Sequence, residues 1–228
     1  MQHDLHHGEL VQVGVEQRLD DHAARIVTGA VILTAMCGRY ALHANPDVIA
    51  LQFGLQSVPD FTASFNIAPA AQILVVRDRR AARARWGLRG KFVNLRAETV
   101  ATKFRSSGRC LVPASGFYEW KSEGRRKQPF YFRPANAPLL ALAGVWERDT
   151  CSLITTEPDA VVGKVHDRMP LLVPAESYDD WQAGDESLLF GPAKIELVAH
   201  PVSLAVNQAA NDSPRLIEPV ELARGLFD

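Results

Sequence analysis

Apolar and polar residues alternate over most of this chain, in short runs broken by turn residues. The pattern predicts strands over 37–42, 72–76, 83–88, 109–113, 116–120, 129–133, 139–146, 152–155, 171–173 and 195–202. Residues 64–69 read as a loop leading into strand 72–76, and 79–82 as a hairpin turn. Helical signals are fewer. Pro46–Phe53 follows a plausible N-cap, Asn45, and meets Gly54 as a stop. Residues 94–104 read as a loop entering a helix, and 158–165 and 174–182 as further helices. Strands and single helices do not alternate as βαβ units. The fold class expected is therefore α+β, with a mixed, curved or barrel-like sheet and a few flanking helices.

A chain of 228 residues that is 47% hydrophobic can bury one full core, so 36–228 reads as a single domain. The first 35 residues differ, with many His, Gln and acidic residues before a short apolar run at 26–35. Asp4, Glu9, Glu16, Asp20 and Asp21 argue against a signal peptide, which needs a brief basic start. Residues 1–35 are expected to be a disordered or weakly helical extension, or a mis-set start with Met36 as the initiator. No apolar run is long enough for a membrane helix, and Cys37, Cys110 and Cys151 lack metal-ligand spacing. The expectation is a cytoplasmic monomer without metal or organic cofactor, away from membranes.

Net charge is −1, yet ten Arg and Lys residues between 77 and 105 face only Asp78 and Glu98. Arg83 and Arg85 alternate with Ala84 and Trp86 and so share a strand face. Such a surface suits phosphate, and it equally suits a solvated hairpin edge protected against aggregation. Nearby aromatic residues, Trp86 among them, could stack on unpaired bases or fill the core.

Three motifs could carry chemistry. In Gly116-Phe117-Tyr118-Glu119-Trp120, alternation puts Phe117 and Glu119 on one face and Tyr118 and Trp120 on the other. A carboxylate buried there would rise in pKa and suit acid/base work, or serve a structural ion pair. In Val165-His166-Asp167-Arg168-Met169-Pro170, His166 stands at a helix end among polar neighbours, placed for proton transfer or for a structural role. In Met36-Cys37-Gly38-Arg39-Tyr40, removal of Met36 would leave Cys37 with a free α-amine and a thiol on adjacent carbons. That pair condenses with an aldehyde to a thiazolidine; an internal cysteine, whose nitrogen is an amide, cannot.

Together with Phe65-Asn66-Ile67-Ala68-Pro69, Arg85-Trp86-Gly87-Leu88, Asn94-Leu95-Arg96-Ala97-Glu98-Thr99 and Ile154-Thr155-Thr156, in this order, these motifs resemble the SOS response-associated peptidase (SRAP) family of abasic-site sensors. The resemblance runs from Met36 to about Glu218. It implies a covalent cross-link of Cys37 to an abasic site in single-stranded DNA, with stalled replication forks as a setting and, in a bacterium, the nucleoid as its place. Glu119 would be the acid/base, His166 would assist sugar ring opening, and Asn94 would complete the catalytic set. Arg39, Arg96 and Asn66 would bind DNA, with Trp86, Arg83, Arg85, Thr155 and Thr156 as further contacts. A DNA lyase side reaction by β-elimination is also implied. Two alternatives stay open on sequence: a thiol autopeptidase using Cys37, His166 and Glu119, or a non-catalytic single-strand binding module. The segment after Leu88 is short, with only 89–93 before Asn94, where family members carry a longer loop.

Overall fold

The computed structural model describes residues 38–124, 126–190 and 195–222. Twelve strands and three short helices follow one another there: β1 (Tyr40–Leu42), α1 (Pro46–Phe53), β2 (Ser64–Ile67), β3 (Gln72–Arg77), β4 (Arg80–Trp86), β5 (Asn94–Arg96), α2 (Ala97–Lys103), β6 (Gly108–Ala114), β7 (Gly116–Glu123), β8 (Arg126–Pro134), β9 (Leu140–Glu147), β10 (Thr150–Thr156), β11 (Met169–Pro170), α3 (Tyr178–Ala183) and β12 (Leu197–Pro201). They build the α+β architecture expected, in two sheets. One is antiparallel, in the order β12-β8-β7-β1-β2. The other runs β11-β10-β4-β3-β6-β9, and because β9 also pairs with β10 it curls back on itself; β5 joins it alongside β10.

Helix α1 forms as the local signals dictate. Asn45 accepts a hydrogen bond from the Asp47 amide, Pro46 occupies the first turn, and Gly54 turns left-handed with φ 61°. Other elements differ from expectation. Residues 64–67 are a strand, paired with β1, and 94–96 are a strand, paired with β10; each is fixed by a distant partner. The hairpin turns at Asp78 and Arg79, both at positive φ (47° and 55°), so β4 begins at Arg80 and not after residue 82. Two residues with positive φ match the twist of the strands they join. The helix expected over 158–165 is only a 3₁₀ turn, Val162–Lys164, and the strand expected over 171–173 is reduced to a single bridge from Leu172 to Leu142. After β12, two 3₁₀ turns that no local pattern announced cover 204–207 and 214–217.

The five-stranded sheet separates two apolar clusters, and alternation along its strands assigns each side chain. Tyr40, Leu42, Phe117 and Phe132 enter the main core between the sheets. Ala41, Tyr118 and Tyr131 enter a smaller cluster with Val202, Val206 and Leu216 from the C-terminal turns. Glu119 follows the Phe117 parity, so it points toward the main core.

Candidate abasic-site interface

The candidate site is built at one end of both sheets. In the β1–β7 ladder, Tyr40 stands opposite Phe117 and the Tyr118 amide donates to the Arg39 carbonyl (3.0 Å). Gly38 lies two residues before Tyr40, as Glu119 lies two after Phe117, and Glu119 is 1% exposed. A carboxylate so removed from water is costly unless it has partners and a task. Cys37, one peptide bond before Gly38, lies outside the described residues.

The parallel β5–β10 ladder brings Asn94 opposite Leu153 and Arg96 opposite Thr155. Asn94 is half-buried and Arg96 exposed; Thr155 is buried and Thr156 half-exposed. The Thr155 hydroxyl donates to the Leu95 carbonyl (3.5 Å), which ties β10 to β5. His166 follows the 3₁₀ turn, with its amide donating to the Val162 carbonyl (2.9 Å). Its ring borders an open hollow of about 440 Å³ whose walls include Trp120, Lys121, Lys164 and Asp167. The hollow places the His166 turn beside residues 120–122 of β7.

Arg39 is half-buried and held on three sides. Its Nη1 donates to Asn66 Oδ1 (2.8 Å) and to the Val206 carbonyl (2.8 Å), and its Nη2 to the Asn207 carbonyl (3.4 Å). Burial lowers its pKa from the ordinary arginine value, far above neutrality, so it stays a cation. Asn66 is 4% exposed, and its Nδ2 lies within reach of the carbonyls of Val206 (3.2 Å), Gln208 (3.1 Å) and Asn211 (2.8 Å). Asn66 is thus a corner post between β2 and the C-terminal segment that seats Arg39, and its saturated amide is not offered to DNA. Asn66→Ala is expected to destabilise the fold by about 2–3 kcal/mol, because it orphans buried carbonyls and one side of Arg39. A urea titration of the variant checks this.

Trp86 also departs from its expected role. It is 1% exposed, donates its indole N–H to the Val93 carbonyl (2.9 Å) and packs edge-on against Tyr40 (centroids 5.5 Å apart). No base can reach it; it is the floor beneath β1. Arg83 and Arg85 are exposed, as alternation predicted, but on the other face of the sheet. Arg85 stands opposite Thr150 and Trp86 opposite Cys151 on β10, whereas Asn94 and Arg96 stand opposite Leu153 and Thr155. Odd-numbered β10 residues therefore share a face with Trp86, Asn94 and Arg96, and Arg83 and Arg85 point away from it. The basic stretch is not one surface: Arg79 pairs with Asp179, Arg89 with Glu147, Arg105 with Glu186, and Arg77 stacks on Trp146.

The short segment after Leu88 is a tight turn. Leu88 and Phe92 exchange backbone hydrogen bonds (2.9 and 3.0 Å), with Arg89 and Gly90 at positive φ. Among residues the sequence did not single out, Asn207 accepts the Trp120 indole N–H (2.7 Å). Glu98 pairs with Arg168 (3.1 Å), which holds its carboxyl below the usual carboxylate range. The motif carrying Glu98 and Arg168 was visible; their pairing, across 70 residues, was not.

Among the described residues, no group of His, Cys, Asp and Glu could hold a metal ion, and no helix is long and apolar enough to cross a membrane. These features define an α+β protein with a curled sheet, a buried carboxylate at Glu119 and a carbonyl-seated Arg39. The chain belongs to the SOS response associated peptidase (SRAP) family, whose sequence model matches residues 36–209. It is 34% identical over 222 residues to the abasic site processing protein YoqW of Bacillus subtilis, covering 80% of this chain and 99% of that one. To the abasic site processing protein YedK of Escherichia coli it is 28% identical, over 81% of this chain and 100% of the relative. A crystal structure of a Bacteroides thetaiotaomicron protein shares the fold, with a TM-score of 0.72 and 22% identity, over 81% of this chain and all of that one.

Proposed function

We propose that the chain senses abasic sites in single-stranded DNA covalently, through the α-amine and thiol of Cys37 after Met36 is removed. The observation that carries this reading is the 1% exposed carboxylate of Glu119, two residues along β7 from the Phe117 that pairs with Tyr40 on β1. The names of the relatives support the same lesion as substrate.

The ring-opened abasic sugar offers an aldehyde. The Cys37 amine adds to its carbon, and Glu119 takes a proton from nitrogen. Glu119 returns that proton to the oxygen, giving the carbinolamine, and then relays the second nitrogen proton to its hydroxyl, which leaves as water and yields a neutral Schiff base. The thiol adds across the C=N bond, sulfur to carbon and its proton to nitrogen, and closes the thiazolidine. One water is lost overall. His166 assists opening of the sugar ring. Arg96 and Arg39 hold phosphates, Asn94 holds the abasic nucleotide, and Thr156 offers a hydroxyl to the backbone. Arg83 and Arg85, on the opposite sheet face, serve a part of the strand away from the lesion. The same Schiff base is the branch point for β-elimination, the lyase side reaction. The working domain begins at Cys37, once Met36 is removed, and acts as a monomer, at stalled forks and in the cytoplasm or on the nucleoid.

Cys37→Ala is expected to abolish the heat-stable adduct with an abasic single strand and to retain non-covalent binding. Retained cross-linking in that variant would sink the proposal. If three phosphates of the single strand are neutralised, affinity should fall on the order of 20-fold between 50 and 200 mM salt. A formed adduct should not respond to salt at all. Gel shifts on native protein and on the pre-formed adduct read both.

A further inference from the structure

Arg168 joins three of the site's segments and has no part in the reaction as written. It is 8% exposed. Its Nη1 donates to Glu98 Oε1 (3.1 Å) at the start of α2, and its Nη2 to Glu98 Oε2 (3.3 Å). The same Nη2 donates to the Thr155 carbonyl (2.7 Å) on β10. A two-pronged guanidinium–carboxylate bond fixes orientation as well as distance, which a lysine could not do. With its side chain bolted to both elements, Arg168 has little freedom in its backbone.

That backbone carries the contact that matters. The Arg168 amide donates to His166 Nδ1 (3.0 Å). An amide N–H can only donate, so Nδ1 presents its lone pair and the neutral ring carries its proton on Nε2. Two acceptors lie beside the same nitrogen, Asp167 Oδ1 at 3.1 Å and the Arg168 carbonyl at 3.2 Å. The amide therefore seats the neutral imidazole and leaves Nε2–H as the ring's hydrogen-bond donor.

We propose that Glu98 and Arg168 are positioning residues, whose ion pair holds the 166–168 turn so that His166 keeps its Nε2–H tautomer and presents Nε2–H as a hydrogen-bond donor to the sugar oxygen. The consequence for the reaction rests on the abasic-site reading above; the consequence for the imidazole does not. The test is ¹⁵N NMR of the histidine side chains in the full chain, with the His166 signals identified by their loss in His166→Gln. It is paired with the rate of adduct formation on an abasic single strand, and applied to native protein, Glu98→Gln and Arg168→Lys, each shown folded by thermal melting.

Native protein should show His166 as the Nε2–H tautomer. Glu98→Gln should move it toward the mixture of a free imidazole and slow adduct formation about tenfold, a fraction of what a well-placed general acid contributes. Its affinity for an intact single strand should be unchanged. Arg168→Lys, which keeps one charged bond, should fall between. A native ring protonated on Nδ1, or an unchanged tautomer in both folded variants, would overturn the proposal. If native protein forms no adduct but the tautomer moves as stated, the positioning role stands and the abasic-site reading falls.

Discussion

Glu119→Gln is expected to slow covalent adduct formation by about 10²–10³-fold while changing affinity for the intact single strand by no more than about twofold. The asymmetry follows from where the side chain lies. It points toward the main core from β7, is 1% exposed, and lies two residues beyond Phe117, the partner of Tyr40. A glutamine fits the same space and keeps an acceptor oxygen, but it cannot take a proton from an amine or return one to a carbinolamine. In the proposed mode the strand is held by the exposed Arg96 and the seated Arg39, which the substitution leaves untouched. Single-turnover kinetics on an abasic strand, set beside binding to an intact one, separate the two effects. Equal losses in both would make the carboxylate structural.

The largest expected effect on stability belongs to a residue with no side chain. Gly116 opens β7 opposite Ala41. A β-carbon there would press into the Phe132 carbonyl oxygen and the Tyr131 ring. Neither neighbour can give way: the carbonyl belongs to β8, and the Tyr131 ring is packed against Tyr118 in the second cluster. Gly116→Ala should cost about 3 kcal/mol or more, at the upper end for an overpacked core, and should appear as a lowered urea midpoint at unchanged m-value. Gly124, at φ 57° with open space around its α-carbon, makes a control. Alanine there should cost only about 1–2 kcal/mol, from the left-handed backbone alone. A Gly116→Ala protein as stable as the native one would mean that β7 and β8 approach less closely than described.

The sequence was most legible where neighbours in the chain decide the outcome. The cap, proline and glycine around α1 act within a single helix, and the Phe117–Trp120 alternation needs only strand geometry to sort core from second cluster. It was least legible where a remote partner decides. Trp86 reads equally well as a stacking platform or a core residue until β10 supplies the neighbour at Cys151 that fixes its face. Asn66 reads as a polar ligand for DNA until the turns beyond residue 204, some 140 residues away, bring it the carbonyls it binds. The basic run from 77 to 105 counts as one patch along the chain. In the fold it divides between two sheet faces and a set of ion pairs. The site motifs were found by composition and order. The Glu98–Arg168 bond that links two of them was not, because nothing local in either segment calls for the other.

The central claim is that Cys37 works as an N-terminal aminothiol. Intact mass of the native protein tests it most directly, before and after mixing with a single strand bearing one abasic site. The account predicts a chain that begins at Cys37, and then a one-to-one adduct that survives denaturation and weighs one water less than the sum of its parts. A chain that retains residues 1–36 and forms no adduct would contradict it.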